Sequence, residues 1–154
     1  MHVLKIILLV MLTQTLFAEK VEITSTSMEA EELKKEVHFI GNAKIKKGDD
    51  WLHADRVIVY FDDNNETKKY EAMGSVKFEF KKDEKHFKGS ADKVEYNTVQ
   101  SLYVLIGKAI LDDLVKNSHL HGDEITLDMS TGRVDVKGSP KEPAKFIFEM
   151  KDKQ

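Results

Sequence analysis

Apolar and polar residues alternate along Tyr70–Phe80, and a glycine lies in the apolar phase of that stretch. The same pattern surrounds two further glycines, so that Gly41, Gly74 and Gly107 recur 33 residues apart, and an incomplete fourth copy ends at Gly138. Because successive side chains of a β-strand point to opposite faces, this alternation predicts half-buried strands. The chain is therefore predicted to be all-β and built from a repeated unit.

A second motif, a small residue followed by aspartate, lies between the glycine strands at Asp55, Asp92 and Asp123. The apolar phase slips by one residue at each aspartate, which predicts a β-bulge in these strands and a bend halfway along them. A glycine inside a strand also marks a bend or a close backbone approach. The aspartates either accept backbone N–H bonds at the bulge or form a row of carboxylates that binds calcium or a polar headgroup.

Polar turn signals separate the strands at regular intervals, which predicts an antiparallel meander in a sandwich, a jelly roll or a solenoid-like stack. Residues 102–106 are apolar on both faces and should form the most enclosed strand, with a helix as the alternative. Residues 28–36 are rich in helix-forming residues. The repeat nevertheless favours a hairpin with its turn near Leu33–Lys35.

Residues 1–18 have the order of a secretory signal: a basic start, a short apolar run and the small residue Ala18 before charge returns. The apolar run is shorter than the ~20 residues of a spanning helix, although an uncleaved membrane anchor is the alternative. Residues 19–154 are predicted to form a single secreted domain.

Composition excludes several functions. The chain has no cysteine, which excludes thiolate catalysis and zinc–cysteine sites, and its net charge of −3 provides no basic field for nucleic acid. His119 and His121 share an outer strand face, but spacing provides no third metal ligand. No nucleophile or phosphate-loop motif occurs, so we predict no enzyme activity, no metal and no cofactor. Asn65 lies in an Asp-x-Asn-x-Thr pattern that some bacteria glycosylate, although a plain turn is the favoured explanation.

The inward phase of the strands forms an apolar lining, interrupted by small residues where the wall must bend. The lining either packs on itself as a sandwich core or encloses a groove for an apolar ligand. Gly74 is expected to make room for a corner and for such a ligand. The predicted lining comprises Phe39, Ile45, Val57, Val59, Gly74, Val76, Phe78, Phe80, Val94, Tyr96, Leu105, Gly107, Leu111, Ile125 and Leu127.

Four segments in order, residues 52–59, 89–96, 105–111 and 121–127, resemble the OstA-like family, which contains the periplasmic lipopolysaccharide-transport protein LptA and its relatives. Thr26-Ser27 replaces the family's alanine–aspartate pair in the first repeat. The resemblance implies a twisted, V-sectioned β-jelly roll, open at both ends, that holds the acyl chains of lipopolysaccharide inside. It also implies head-to-tail stacking that joins an inner-membrane partner to an outer-membrane partner.

The first and last strands of such a roll have unpaired backbone groups, which predicts assembly through Val21 and Ile23 at one edge and through Phe146 and Phe148 at the other. Two other functions remain open. The same fold could be a scaffold with a packed interior, or the membrane-anchored partner of the same pathway with residues 6–17 retained.

Overall fold

The computed structural model describes residues 20–151, so the predicted signal segment, residues 1–18, lies outside the described residues. Within the described range the chain is all-β, as predicted. Its ten strands are β1 (Glu22–Thr24), β2 (Ser27–Glu31), β3 (Glu36–Lys47), β4 (Asp50–Phe61), β5 (Thr67–Lys82), β6 (Lys85–Asn97), β7 (Leu102–Asp113), β8 (Ser118–Asp128), β9 (Val134–Lys137) and β10 (Lys145–Phe148).

Both segments with a helical alternative are strands. Residues 102–106 begin β7, but they are not the most enclosed strand, because only Leu105 is buried among them whereas residues 57–59 of β4 are all buried. Residues 27–40 form the predicted hairpin, in which β2 pairs antiparallel with β3 across a turn at residues 32–35. Pairing with β3 therefore overrides the helix propensity of the glutamate- and lysine-rich segment.

The strands form one antiparallel sheet in which β3 to β8 pair in chain order. The sheet remains open, because β1 and β2 both pair with β3 at one edge, and β9 and β10 both pair with β8 at the other. Short polar turns connect the long strands, and two of them, at residues 48–49 and 83–84, have only two residues between paired positions.

A line of register breaks divides the six long strands into two half-sheets. Half-sheet I contains β2, residues 36–40, 56–61, 67–73, 93–97, 102–106 and 124–128, and β9. Half-sheet II contains β1, residues 43–47, 50–54, 76–82, 85–91, 109–113 and 118–122, and β10. The sheet bends along this line, so that the inner faces of the two halves meet as the sides of a V.

The bulges lie in β3, β5 and β7, the strands that contain Gly41, Gly74 and Gly107. The phase slip had instead suggested bulges in the strands that contain Asp55, Asp92 and Asp123. Between the pairs Met73–Lys93 and Val76–Ala91, β5 has two residues and β6 has one. The same excess occurs at residues 41–42 of β3 and 107–108 of β7. The glycine in each bulge has positive φ, from 81° to 86°, and so does the residue after it, from 45° to 46°. Two consecutive left-handed residues explain why glycine recurs at these positions.

The inner faces of both half-sheets form one hydrophobic core. Val57, Val76, Leu105 and Ile125 are its largest fully buried side chains. Each such burial contributes ~1.5–3 kcal/mol to folding. Small side chains in the bend, or next to it, allow the two half-sheets to approach each other closely. The buried alanines there are Ala43, Ala54, Ala72, Ala91 and Ala109.

Candidate functional site

The V is not filled completely, and one cavity of about 290 Å³ opens between residues 43–54 and 76–82 of half-sheet II and residues 67–73, 93–98 and 102–106 of half-sheet I. We call it cavity 1. Its wall is largely apolar and aromatic, with Asp50, Glu79 and Lys47 among the few charged lining residues. Its other lining residues are Val21, Ile45, Trp51, Leu52, Tyr70, Ala72, Phe78, Phe80, Val94, Tyr96, Thr98 and Tyr103.

Three tyrosines form one side of cavity 1. Tyr70, Tyr96 and Tyr103 occupy paired positions on β5, β6 and β7, so their rings follow one another across half-sheet I. The ring centroids are 6.3 Å apart between Tyr70 and Tyr96 and 4.2 Å apart between Tyr96 and Tyr103. Burial, together with the neighbouring Tyr96, Asp50 and Tyr70, raises the pKa of Tyr103, which therefore stays uncharged at any physiological pH.

A second cavity of about 360 Å³ opens near the C-terminal edge of the sheet and is called cavity 2. Its polar rim contains Lys85, Lys116, Asp113 and Ser118. The Asp113 carboxylate accepts hydrogen bonds from the backbone N–H groups of Val115 and Lys116, which fixes the turn at this end of cavity 2. Its apolar wall contains Phe87, Leu111, Leu120, Leu127, Met129, Val134 and Phe146.

Aromatic rings lie between the two cavities. Phe80 lines cavity 1 and Phe87 lines cavity 2, and their ring centroids are only 5.2 Å apart. Phe80 also stacks on Tyr103 of the opposite half-sheet, with the centroids 5.5 Å apart and the ring planes within 9° of parallel. These three rings are part of the apolar lining, but they divide the open space between the half-sheets into two cavities.

Thirteen of the fifteen predicted lining residues lie in the hydrophobic interior. Ile45, Phe78, Phe80, Val94 and Tyr96 line cavity 1, and Leu111 and Leu127 line cavity 2. The other six belong to the packed core or contact it: Phe39, Val57, Val59, Val76, Leu105 and Ile125. The two alternatives for the interior thus coexist, because the base of the V is packed and its mouth is open.

Gly74 and Gly107 do not line either cavity, and the expectation that Gly74 makes room for an acyl chain is wrong. A Cβ atom added at Gly74 would lie 2.7 Å from Cβ and Cγ of Asp55 and closer still to its Oδ2 atom. At Gly107 the same space is filled by Asp92, and at Gly41 by Thr26. At Gly74 and Gly107 glycine is needed because an aspartate side chain of the preceding strand occupies the Cβ position, and at Gly41 Thr26, between β1 and β2, comes within 3.0 Å of it.

The contacts at Gly74 and Gly107 also define the role of the repeated aspartates. The side chains of Asp55 and Asp92 pack against the glycines of β5 and β7, and within residues 20–151 neither carboxylate forms the predicted hydrogen bond to a backbone amide. Thr26 takes the place of the aspartate in the first repeat, which accounts for the departure from the repeat there.

Several cavity residues were missed by the sequence prediction. Tyr70, Phe87, Tyr103 and Leu120 share the inward strand phase with predicted residues, so the alternation itself could have identified them. Trp51 is different, because it has outward parity and reaches the rim of cavity 1 near the turn between β3 and β4. Its indole Nε1–H donates a 3.3 Å hydrogen bond to Glu79.

Gly89 was also missed as an interior determinant. A Cβ atom at Gly89 would lie 2.9 Å from Cε1 of Phe78 and 2.8 Å from the carbonyl oxygen of Ile110. The Phe78 ring therefore lies over the glycine on the neighbouring strand. This contact allows a bulky aromatic side chain to lie flat at the base of cavity 1.

The outer face of half-sheet I has a charged network rather than a ligand site. Lys93 Nζ lies 2.9 Å from Glu71 and 3.1 Å from Glu95, and the Tyr60 hydroxyl donates to Glu71 over 3.0 Å. Burial opposes ionisation of Glu71, but hydrogen bonds from Lys93 and Tyr60 outweigh it and lower the pKa of this carboxyl. Burial and the hydrogen bond to Glu71 raise the pKa of Tyr60 to about 12.

The predicted histidine pair lies on the outer face of half-sheet II. His119 Nδ1 is 2.6 Å from Oδ1 of Asp112 on β7, whereas His121 is paired with Ile110. Among residues 20–151, no group of three or more His, Cys, Asp or Glu side chains is arranged to hold a metal ion. In the same range no helix has the length and apolar character needed to cross a membrane.

The predicted assembly edges are partly exposed. Phe146 and Phe148 of β10 are 58% and 55% exposed, and their rings stack with centroids 5.0 Å apart. At the other edge Ile23 pairs with Ile45 and packs on the core, while Val21 precedes β1 and lines cavity 1.

The predicted glycosylation site lies in a turn. Asn65 is exposed between β4 and β5 and has φ of 60°. Its backbone N–H donates a 3.0 Å hydrogen bond to the carbonyl oxygen of Asp62, as expected for a plain turn. Glycosylation of Asn65 stays a prediction.

Comparison with known proteins agrees with this architecture. LptH from Pseudomonas aeruginosa, described as the LptA-homologous periplasmic component of the conserved lipopolysaccharide transport device, has the same fold, with a TM-score of 0.74 and 18% identity. The similarity covers 86% of this chain and 96% of LptH. The search of curated proteins found no match. Residues 22–133 match the family described as LptA/(LptD N-terminal domain) LPS transport protein. The resemblance inferred from the repeated motifs is thereby confirmed, and the chain belongs to this family of lipopolysaccharide-transport proteins.

Proposed function

We propose that this protein is a periplasmic component of lipopolysaccharide transport that holds acyl chains in the mouth of its V. The observation that carries the proposal is the pair of apolar cavities between the half-sheets, in a chain of this family. Each CH₂ group removed from water contributes ~0.8 kcal/mol. A lipid that crosses an aqueous compartment needs such surfaces, because exposure of a whole acyl chain would be prohibitive.

The polar rims suit an amphipathic ligand. Lys85 and Lys116 lie beside the apolar wall of cavity 2, so a phosphorylated headgroup could pair with their amines while its acyl chains enter the cavity. Thr98 and Trp51, at the rim of cavity 1, provide hydrogen-bonding groups there. In this proposal the protein is a carrier and a bridge, and it needs neither a catalytic residue nor a cofactor.

The open edges support the bridging part of the proposal. β1 and β2 end the sheet on one side and β9 and β10 on the other, so a second copy or a membrane partner can add strands at either edge. Cavity 2 reaches the second edge, since Phe146 of β10 and Val134 of β9 are among its lining residues. Head-to-tail addition at this edge would extend the apolar interior into the next molecule.

Photo-crosslinking in cells tests the proposal directly. A photoreactive amino acid at Phe78 (cavity 1) or Leu111 (cavity 2) is expected to capture lipopolysaccharide. The matched control is Lys77, whose side chain is exposed on the opposite face of the same strand, and which should capture none. Folded protein that captures no lipid from either interior position, or captures as much from Lys77, would contradict the carrier function.

A scaffold that works through its strand edges is the second candidate. It is favoured by the exposed aromatic side chains of β10 and by the packed base of the V. A scaffold would assemble without capturing lipid, so the crosslinking experiment separates the two functions. Intact-mass measurement of the mature protein separates the membrane-anchored partner from a free carrier, because the anchored form would retain residues 1–18.

A further inference from the structure

We infer, on the basis of the proposed function, that the interior binds acyl chains in two separate compartments divided by a movable aromatic partition. The partition consists of Phe80, Phe87 and Tyr103. The compartments are cavity 1 and cavity 2, which have no lining residue in common. Each compartment takes one acyl chain or chain segment, and a chain passes from one to the other only when the partition opens.

The partition closes the V from both sides. Phe80 and Phe87 occupy paired positions on β5 and β6 of half-sheet II, so their rings stand side by side on its inner face. Tyr103 comes from half-sheet I and stacks on Phe80 across the gap. Since Phe80 lines one cavity and Phe87 lines the other, the two adjacent rings stand between the cavities.

The rings of the partition differ in burial: Phe80 is 9% exposed and belongs to the buried core, so Phe87 is the ring that can turn most freely. Leu105 and Leu111 lie deeper on β7 and are almost fully buried, so they cannot move aside without opening the core. Phe87 is only half-buried and lies close to the two-residue turn at residues 83–84. Side-chain rotation near the mouth leaves the strand register unchanged, and the partition can therefore open while the fold stays intact.

The size of each cavity sets the length of chain that fits. Cavity 1 has a volume of about 290 Å³ and cavity 2 a volume of about 360 Å³. A group of the size of a water molecule occupies ~30 Å³, so the cavities hold roughly ten and roughly twelve such groups. A laurate chain fits this space, whereas a stearate chain exceeds it. A lipid with several long acyl chains must therefore distribute them between compartments or open the partition.

Native mass spectrometry and calorimetry with laurate and stearate test the inference. The wild-type chain is expected to bind two laurate molecules and to bind stearate no more tightly than laurate, because the methylenes that exceed one compartment stay in water and add nothing to binding. Phe80→Ala should join the compartments, so that one stearate binds at least about tenfold more tightly than laurate, since each two further methylenes removed from water strengthen binding by roughly that factor. Phe87→Leu, a smaller change at a half-buried position, provides the same test if Phe80→Ala fails to fold.

A control variant and two possible outcomes separate the partition from the carrier function. Phe61→Ala removes a core-packed aromatic ring that lines neither cavity, so it should leave the stoichiometry and the chain-length preference unchanged. A wild-type chain that binds one stearate at least about tenfold more tightly than laurate would overturn the partition while leaving the carrier function standing. A folded wild-type chain that binds neither fatty acid would overturn the carrier function itself, and the partition with it.

Discussion

Gly74→Ala tests the contact between the glycine bulge and the aspartate of the preceding strand. Gly74 has φ of 86°. A left-handed backbone costs an L-residue about 1–2 kcal/mol. The added methyl group would also overlap Asp55, whose Cβ and Cγ atoms lie 2.7 Å from the new position. Overpacking of this kind costs ~1–3 kcal/mol. The substitution should therefore destabilise the protein by about 2–5 kcal/mol, the sum of the two costs.

Gly48→Ala is the matched control for the backbone term. Gly48 also has positive φ, 59°, but no atom lies within 4 Å of its Cβ position. It should cost only the ~1–2 kcal/mol of the left-handed conformation. The excess of Gly74→Ala over Gly48→Ala then measures the overlap with Asp55. Combining Gly74→Ala with Asp55→Gly should remove most of that excess, since every atom involved in the overlap is deleted.

Urea unfolding followed by the fluorescence of Trp51, the single tryptophan, measures the wild type, the single variants Gly74→Ala, Gly48→Ala and Asp55→Gly, and the double variant. The urea concentration at the unfolding midpoint should fall most for Gly74→Ala. In the double variant it should be higher than the sum of the two single changes predicts. If Gly74→Ala is no more destabilising than Gly48→Ala, the contact with Asp55 does not determine the bend. Because the added side chain meets Asp55 and not a cavity, unfolding is also expected to precede any specific block of transport.

Contacts on both faces of the sheet lead to three further predictions. Gly89→Ala should displace the Phe78 ring and destabilise the protein by about 1–3 kcal/mol. Adding Phe78→Ala to the same chain should relieve part of that destabilisation. If the two changes in the free energy of unfolding, measured in urea, add completely, the contact between Gly89 and Phe78 is contradicted. Glu71→Gln should destabilise the fold at neutral pH. The pKa of Glu71 in the folded protein is lowered from its ordinary 4.5, so the wild type should be more stable than Glu71→Gln above pH 4.5. This difference in the free energy of unfolding should disappear as the pH falls through the pKa of the folded protein. A difference that does not change with pH would contradict the ion pairing of Glu71. Phe146→Lys with Phe148→Lys should reduce self-association in sedimentation over a concentration series, whereas an unchanged dependence, or a wild-type chain that is monomeric at high concentration, would argue against assembly through β10.

The sequence alone determined the class of fold and most of the interior. Strand side chains alternate with a period of two, so the inward residues could be read from parity. The 33-residue recurrence of Gly41, Gly74 and Gly107 indicated a repeated bent strand. The same motifs were specific enough, taken in order, to identify the family. At residues 27–31 local propensity favoured a helix and the repeat favoured a strand, and the pairing of β2 with β3 makes this segment a strand.

The tertiary structure decided everything that depends on distances between strands. Parity shows that a phase slips near an aspartate, but the strand with the extra residue is defined only by pairing, which places the bulge at Gly74-Ser75. The space at Gly74 is likewise filled from another strand, by Asp55, and no pattern within one strand records that contact.

The division of the interior was equally inaccessible to the sequence. Phe80 and Tyr103 belong to strands that are not neighbours in the sheet, and they meet only because the bend brings half-sheet I over half-sheet II. Alternation predicts which side chains face inward, whereas the angle and twist between the half-sheets decide which of them touch. A uniform apolar lining in the sequence therefore becomes, in the folded chain, a packed base and two separate cavities.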